Sequence, residues 1–132
     1  MKVPFNINLS GKTAIVTGGS GTLCSAMTYG LAVSGAKVAI IGRNIEKLAS
    51  VSEKLTKNAL DEYNKEVTIK GYSCNVINKD ELTAAYETIK NELGSCDILI
   101  NGAGGNQPGA ITSIEMLKKE KEDSDYSFWN LD

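Results

Sequence analysis

The chain contains no histidine, and its three cysteines, Cys24, Cys74 and Cys96, are widely spaced with no CxxC pair. Zinc centres are built from such cysteine and histidine sets, so the sequence excludes one. An odd number of scattered thiols gives no disulfide framework and fits reduced cysteines in a cytoplasmic protein. Long apolar runs are lacking as well: none approaches the roughly 20 residues that span a bilayer. Residues 1–10 are polar and carry Pro4, one of only two prolines, which does not suit a signal peptide. Charge of one sign is also scarce. Lys and Arg number 14 against 16 Asp and Glu, for a net charge of −2. With the two signs interspersed, there is no general electrostatic hold on nucleic acid or on an anionic membrane.

What remains is an alternation of strand and helix signals without repeats or low-complexity linkers. At 132 residues and 42% hydrophobic content, the chain suffices for one domain with a core. Thr13–Thr17 reads as a short apolar strand. Apolar residues at 23, 26, 27, 30 and 31 make a helical stripe, with Gly30 on it. A glycine there weakens the helix unless close packing needs it. Gly35 suits the end of that helix. Lys37–Ile41 is a second buried strand. Asn44 suits an N-cap for a helix reaching about Glu62, with Ile45, Leu48, Ser52 and Leu55 on one face. Val67–Ser73 is a third strand. Asn78 with Glu81 reads as a capping pair for a helix that buries Leu82, Ala85, Tyr86, Ile89 and Leu93 and closes at Gly94. Asp97–Asn101 is a fourth strand.

Near-continuous apolar strands separated by helices imply an α/β fold, a Rossmann-type parallel sheet with helices on both faces. Right-handed crossovers and the glycine turn after the first strand give strand order 3-2-1-4. The pattern degrades past Gly105. Residues 1–132 thus read as one partial dinucleotide-binding domain, cut after the fourth strand, with 106–132 a loop and the start of a following helix. Ser113–Glu122 suits a solvated helix, and Phe128, Trp129 and Leu131 have no expected partner.

Four segments carry chemistry. The first is Gly18-Gly19-Ser20-Gly21-Thr22-Leu23, between strand and helix. Its glycines let the backbone curl toward a pyrophosphate, and Ser20 and Thr22 add hydroxyl donors. The second is Gly42-Arg43-Asn44. An NAD site usually has an acid here for the ribose 2′-OH, whereas the Arg43 guanidinium can pair with a 2′-phosphate. That favours NADP over NAD. The third is Asn75-Val76, where Asn75 can donate to and accept from an adenine edge. The fourth is Asn101-Gly102-Ala103-Gly104, small residues at the carboxyl end of the fourth strand, where such sheets bind ligands.

These pieces resemble the short-chain dehydrogenase/reductase family: Ser10-Gly-Lys-Thr-Ala-Ile-Val-Thr-Gly-Gly, then Gly42-Arg43-Asn44, Asn75-Val76 in place of Asp-Val, and Asn101-Gly-Ala-Gly in place of Asn-Asn-Ala-Gly. The likeness covers nearly the whole chain, in order and at matching spacings. Gly104-Gly-Asn-Gln-Pro-Gly-Ala-Ile-Thr112 and Leu23-Cys24-Ser25-Ala26-Met27 further resemble the D-mannonate oxidoreductase (fructuronate reductase) branch. The chain departs from the general pattern at Thr22 and Cys24, where that pattern has glycines. The resemblance implies hydride exchange between NAD(P) and a sugar acid, D-mannonate and D-fructuronate, by a longer, homo-oligomeric form. It also implies that the family's catalytic Ser, Tyr and Lys lie beyond this chain, which alone is expected to be inactive. Tyr86-Glu-Thr-Ile-Lys90 spells the family's YxxxK, but before the fourth strand and on the apolar stripe, so it reads as core packing. The alternatives are a non-catalytic module that binds a nucleotide or a partner, since the fourth strand would show an unpaired edge, and a methyltransferase, which the two glycine turns and Arg43 disfavour.

Overall fold

In the computed structural model, residues 6–104 are described. Four strands, β1 (Thr13–Thr17), β2 (Lys37–Gly42), β3 (Ile69–Ser73) and β4 (Ile98–Asn101), alternate with three helices, α1 (Thr22–Val33), α2 (Ile45–Tyr63) and α3 (Lys79–Glu92). All strand pairs are parallel, and the order is β3-β2-β1-β4, as the sequence pattern implies.

The apolar runs of β1 and β2 have no polar face because both faces are covered. Ala14, Val16, Val38 and Ile40 join Tyr29, Ala32 and Val33 of α1 and Leu48, Leu55 and Ala59 of α2 in one core. Ile15, Ala39 and Ile41 point the other way and pack with Ile89 of α3 and with Leu93. Each fully buried valine or isoleucine contributes roughly 1.5–3 kcal/mol, so the central pair of strands dominates the core. Tyr29 ties the two helices of the first layer together: its hydroxyl donates to Glu62 Oε2 at 3.0 Å and its ring lies 6.3 Å from that of Tyr63. Burial, then the Glu62 carboxylate, pushes the Tyr29 phenol up to about 12.

Local signals place the helix ends. Asn44 caps α2 by accepting from the Lys47 N–H, and Asn78 caps α3 by accepting from Asp80 and Glu81. Gly35 and Gly94 follow α1 and α3 with positive φ, as the sequence suggests. Strand ends differ slightly from the expected ones. β3 starts at Ile69 rather than Val67, because its ladder begins at Val38↔Ile69 and the chain before Lys37 is already turning at Gly35. β4 starts at Ile98, one residue after Asp97. Asp97 instead anchors the strand: its N–H donates to the Thr13 carbonyl and its carboxylate accepts the Thr13 N–H.

Two helix faces correct the sequence reading. The buried row of α1 is Cys24, Thr28, Tyr29, Ala32 and Val33, while Leu23 and Met27 are exposed. The face turned to the core thus lies to one side of the apolar stripe, and Tyr29 and Val33 supply its largest side chains. Among the described residues an added Cβ at Gly30 would meet nothing within 4 Å, so no close packing there calls for the glycine. In α3 only Ile89 is fully buried, and Leu82 and Tyr86 are each 36% exposed. The apolar patch that the described sheet offers to α3 is filled from the helix's C-terminal end. Residues 106–132, with the expected helix at Ser113–Glu122, lie outside the described residues. Among the described residues no helix is long and apolar enough to cross a membrane.

Thr28 is fully buried, and its hydroxyl has no hydrogen-bond partner among the described residues. An unsatisfied buried hydroxyl costs stability, and valine keeps its shape. Thr28→Val is expected to raise unfolding free energy by about 1 kcal/mol in chemical denaturation. A loss of stability would show that the hydroxyl is satisfied.

Candidate functional site

The register brings the four segments to one edge. Thr17 pairs with Ile41 and with Asn101, and Gly42 pairs with Ser73, so all four strands end together. With strands about 4.8 Å apart, the turns after β3, β2, β1 and β4 form a row roughly 14 Å long.

The centre of the row is the turn from β1 into α1. Gly18 (φ +67°) donates to the Ile41 carbonyl at 2.8 Å, and Gly21 donates back to the Gly18 carbonyl at 2.9 Å. A side chain at Gly18 would strike the Gly102 carbonyl, 2.7 Å from an ideal Cβ. The turn therefore has to be bare for the β1 and β4 loops to touch. Gly21 is the residue before α1, and no side chain caps the helix there; its first turn has no acidic residue. α2 and α3 differ on both counts, each having an asparagine cap and an acid in the first turn. The N-terminus of α1 thus keeps its positive end, and the N–H groups of Thr22, Leu23 and Cys24 have no side-chain acceptor among the described residues. Ser20 is half-buried in the turn, Thr22 is exposed at its lip, and Leu23 is 69% exposed, an apolar surface beside the turn.

Thr17 ends β1 and holds the two loops together. Its Oγ1 accepts from the Gly102 N–H at 3.0 Å and the Ala103 N–H at 3.1 Å, and donates toward the Ile100 carbonyl at 3.5 Å. Sequence reasoning missed this residue. Its signal was available, a hydroxyl at the end of a buried strand directly before the glycines, but its partners lie about 85 positions away in sequence.

The other segments fall beside this pair. Arg43 is exposed at the end of β2, where the Ser73 hydroxyl donates to its carbonyl at 3.3 Å. Asn44 spends its side-chain oxygen on capping α2. Asn75 Oδ1 accepts from the Ile77 N–H at 3.3 Å, and the Asn75 N–H donates to Glu81 Oε2 at 2.8 Å. The asparagine therefore serves its own loop, and its amide NH2 is the group left to face the edge. Val76 is half-buried under the same loop. Beside it, burial pushes the Cys74 thiol up, which keeps it protonated and inert. Asn101, Ala103 and Gly104 line the β4 side and are exposed. Tyr86, with Lys90, sits on α3, partly exposed rather than facing the sheet.

A row of bare turns at the carboxyl end of a parallel sheet, around one uncapped helix start, suits an extended ligand with an anionic middle. Residues 12–123 match the family described as short chain dehydrogenase. The chain belongs to the short-chain dehydrogenase family. It is 42% identical over 130 residues to an uncharacterised oxidoreductase, UxuB, of Bacillus subtilis, covering 98% of this chain and 44% of that protein. It is 39% identical over 120 residues to a 2-dehydro-3-deoxy-D-gluconate 5-dehydrogenase of Formosa agariphila, covering 89% of this chain and 43% of that protein. It is similar to the crystal structure of a putative D-mannonate oxidoreductase from Haemophilus influenzae with bound NAD, at a TM-score of 0.66 and 34% identity, over 96% of this chain and 43% of that one. The chain therefore spans less than half the length of these short-chain dehydrogenase relatives.

Losing the Thr17 hydroxyl strands two N–H groups of the β4 loop. Thr17→Val, which keeps the side chain's shape, is expected to destabilise the chain by about 1–3 kcal/mol. Denaturant unfolding checks this, and an unchanged midpoint would remove Thr17 from its bridging role.

Proposed function

We propose that this chain is the dinucleotide-binding part of an NAD(P)-dependent oxidoreductase of the short-chain dehydrogenase type that acts on a sugar acid. The observation that carries it is the uncapped N-terminus of α1, set against two capped helices and aimed into the glycine turn. The pyrophosphate takes the free N–H groups of the first turn, with Gly18, Gly19 and Gly21 giving it room and the Ser20 and Thr22 hydroxyls adding donors. The adenosine half lies toward β2 and β3. There Arg43 and Asn44 flank the ribose, and the Asn75 amide and Val76 flank the adenine. The nicotinamide half lies toward β4, over Asn101, Ala103 and Gly104. When bound, the dinucleotide accepts or gives the hydride, and these residues bind and orient it.

The sugar-acid substrate rests on the named relatives. One is a putative D-mannonate oxidoreductase and another a 2-dehydro-3-deoxy-D-gluconate 5-dehydrogenase, both named for sugar acids. The likeness to the first favours interconversion of D-mannonate and D-fructuronate by a longer form.

NADP is favoured over NAD because Arg43 stands at the end of β2 with no carboxylate before Glu46. A charge-assisted pair is worth about 1.5–3 kcal/mol, so Arg43→Glu is expected to weaken NADPH binding at least about tenfold while changing NADH binding much less. Calorimetric titration of both dinucleotides into both proteins reads this directly. An NADPH affinity that Arg43→Glu leaves unchanged would contradict the assignment of Arg43, and binding of neither dinucleotide would contradict the proposal as a whole.

A further inference from the structure

Two residues 78 positions apart in sequence share one space. Cys24 is the third residue of α1 and is 7% exposed. Gly102 follows β4 directly. A Cβ built on Gly102 would lie on the Cys24 sulfur, but only 3.6 Å from Cys24 Cβ, which is ordinary contact. Of the Cys24 side chain, the sulfur fills the space that a side chain at 102 would take, and the Thr17 carbonyl bounds that space on another side. Gly102 is also the residue whose N–H reaches Thr17 Oγ1 at 3.0 Å, and its carbonyl lies against Gly18. The Cys24 sulfur thus wedges between the first turn of α1 and the loop that carries Ala103 and Gly104.

We propose that Cys24 and Gly102 form an interlocked steric pair that sets the spacing between the α1 first turn and the β4 loop, and so positions both for the dinucleotide. The residues act through the loops rather than by touching the reacting atoms, so they are positioning residues. The dinucleotide part rests on the function proposed above; the steric part does not.

The test is a double-substitution cycle on the full chain with Gly102→Ala, Cys24→Ala and the two combined. Cys24→Ala removes only the sulfur and keeps a good helix former. An alanine at 102 also meets the Thr17 carbonyl, 2.8 Å from its Cβ. That contact is the same in both backgrounds and cancels in the cycle. Two readouts are taken, the melting temperature and the affinity for NADH and NADPH. Gly102→Ala is expected to weaken dinucleotide binding about tenfold more with Cys24 present than in the Cys24→Ala background. The melting temperatures should show the same dependence. If Gly102→Ala fails to fold with Cys24 but folds with Cys24→Ala, the pair is supported outright. Equal effects in both backgrounds, or failure of Gly102→Ala to fold in either, overturn it. Coupling in melting with the same dinucleotide affinity in all four proteins also overturns it, since the pair then packs without positioning. If the parent chain binds neither dinucleotide, the function proposed above fails, and an additive melting cycle then overturns the steric pair as well.

Discussion

The Thr17 hydroxyl is the point on which the candidate site depends. It closes β1, takes the N–H groups of Gly102 and Ala103, and so fixes the β4 loop over the glycine turn. The contact has no room for side chains: Gly18 meets Gly102, and Gly102 meets the Cys24 sulfur. The sheet makes this contact possible by ending its strands together, which follows from the Thr17↔Ile41 and Thr17↔Asn101 registers. The registers in turn rest on β1, buried along its whole length, with a core on either face.

At this edge the molecule gives up local stability. α2 and α3 satisfy their first turns with asparagine caps and acidic residues, interactions typically worth about 1 kcal/mol per cap. α1 forgoes both, follows a glycine turn, and leaves Leu23 exposed beside that turn. The chain caps two helices and leaves the third without a side-chain cap at the point where its strands end, and such departures from local rules are typical of functional sites.

Much of the fold was legible in the sequence because its signals are local. KVAII and TAIVT are strands buried on both faces, Asn44 and Asn78 are caps, and Gly35 and Gly94 end helices; each states its role within a few residues. The glycine turn was legible for the same reason. What was not legible depends on contacts across the fold. The buried face of α1 is set by how the helix packs against the sheet and α2, so Cys24 and Thr28 face inward although Leu23 and Met27 are the more apolar. α3 buries its C-terminal end because Ile15, Ala39 and Ile41 are the patch it finds. Thr17 and the Cys24–Gly102 pair have partners from the other end of the described chain.

The measurement that tests the account most directly is amide NMR of the chain, labelled with 15N, titrated with NADPH. The account predicts that the amides of Thr22, Leu23 and Cys24 shift most, as free N–H groups gain a phosphate partner. Smaller shifts should follow along the row, at Arg43, Asn75, Val76 and Ala103. Shifts centred elsewhere, or first-turn amides of α1 that stay in place while NADPH binds, would contradict it.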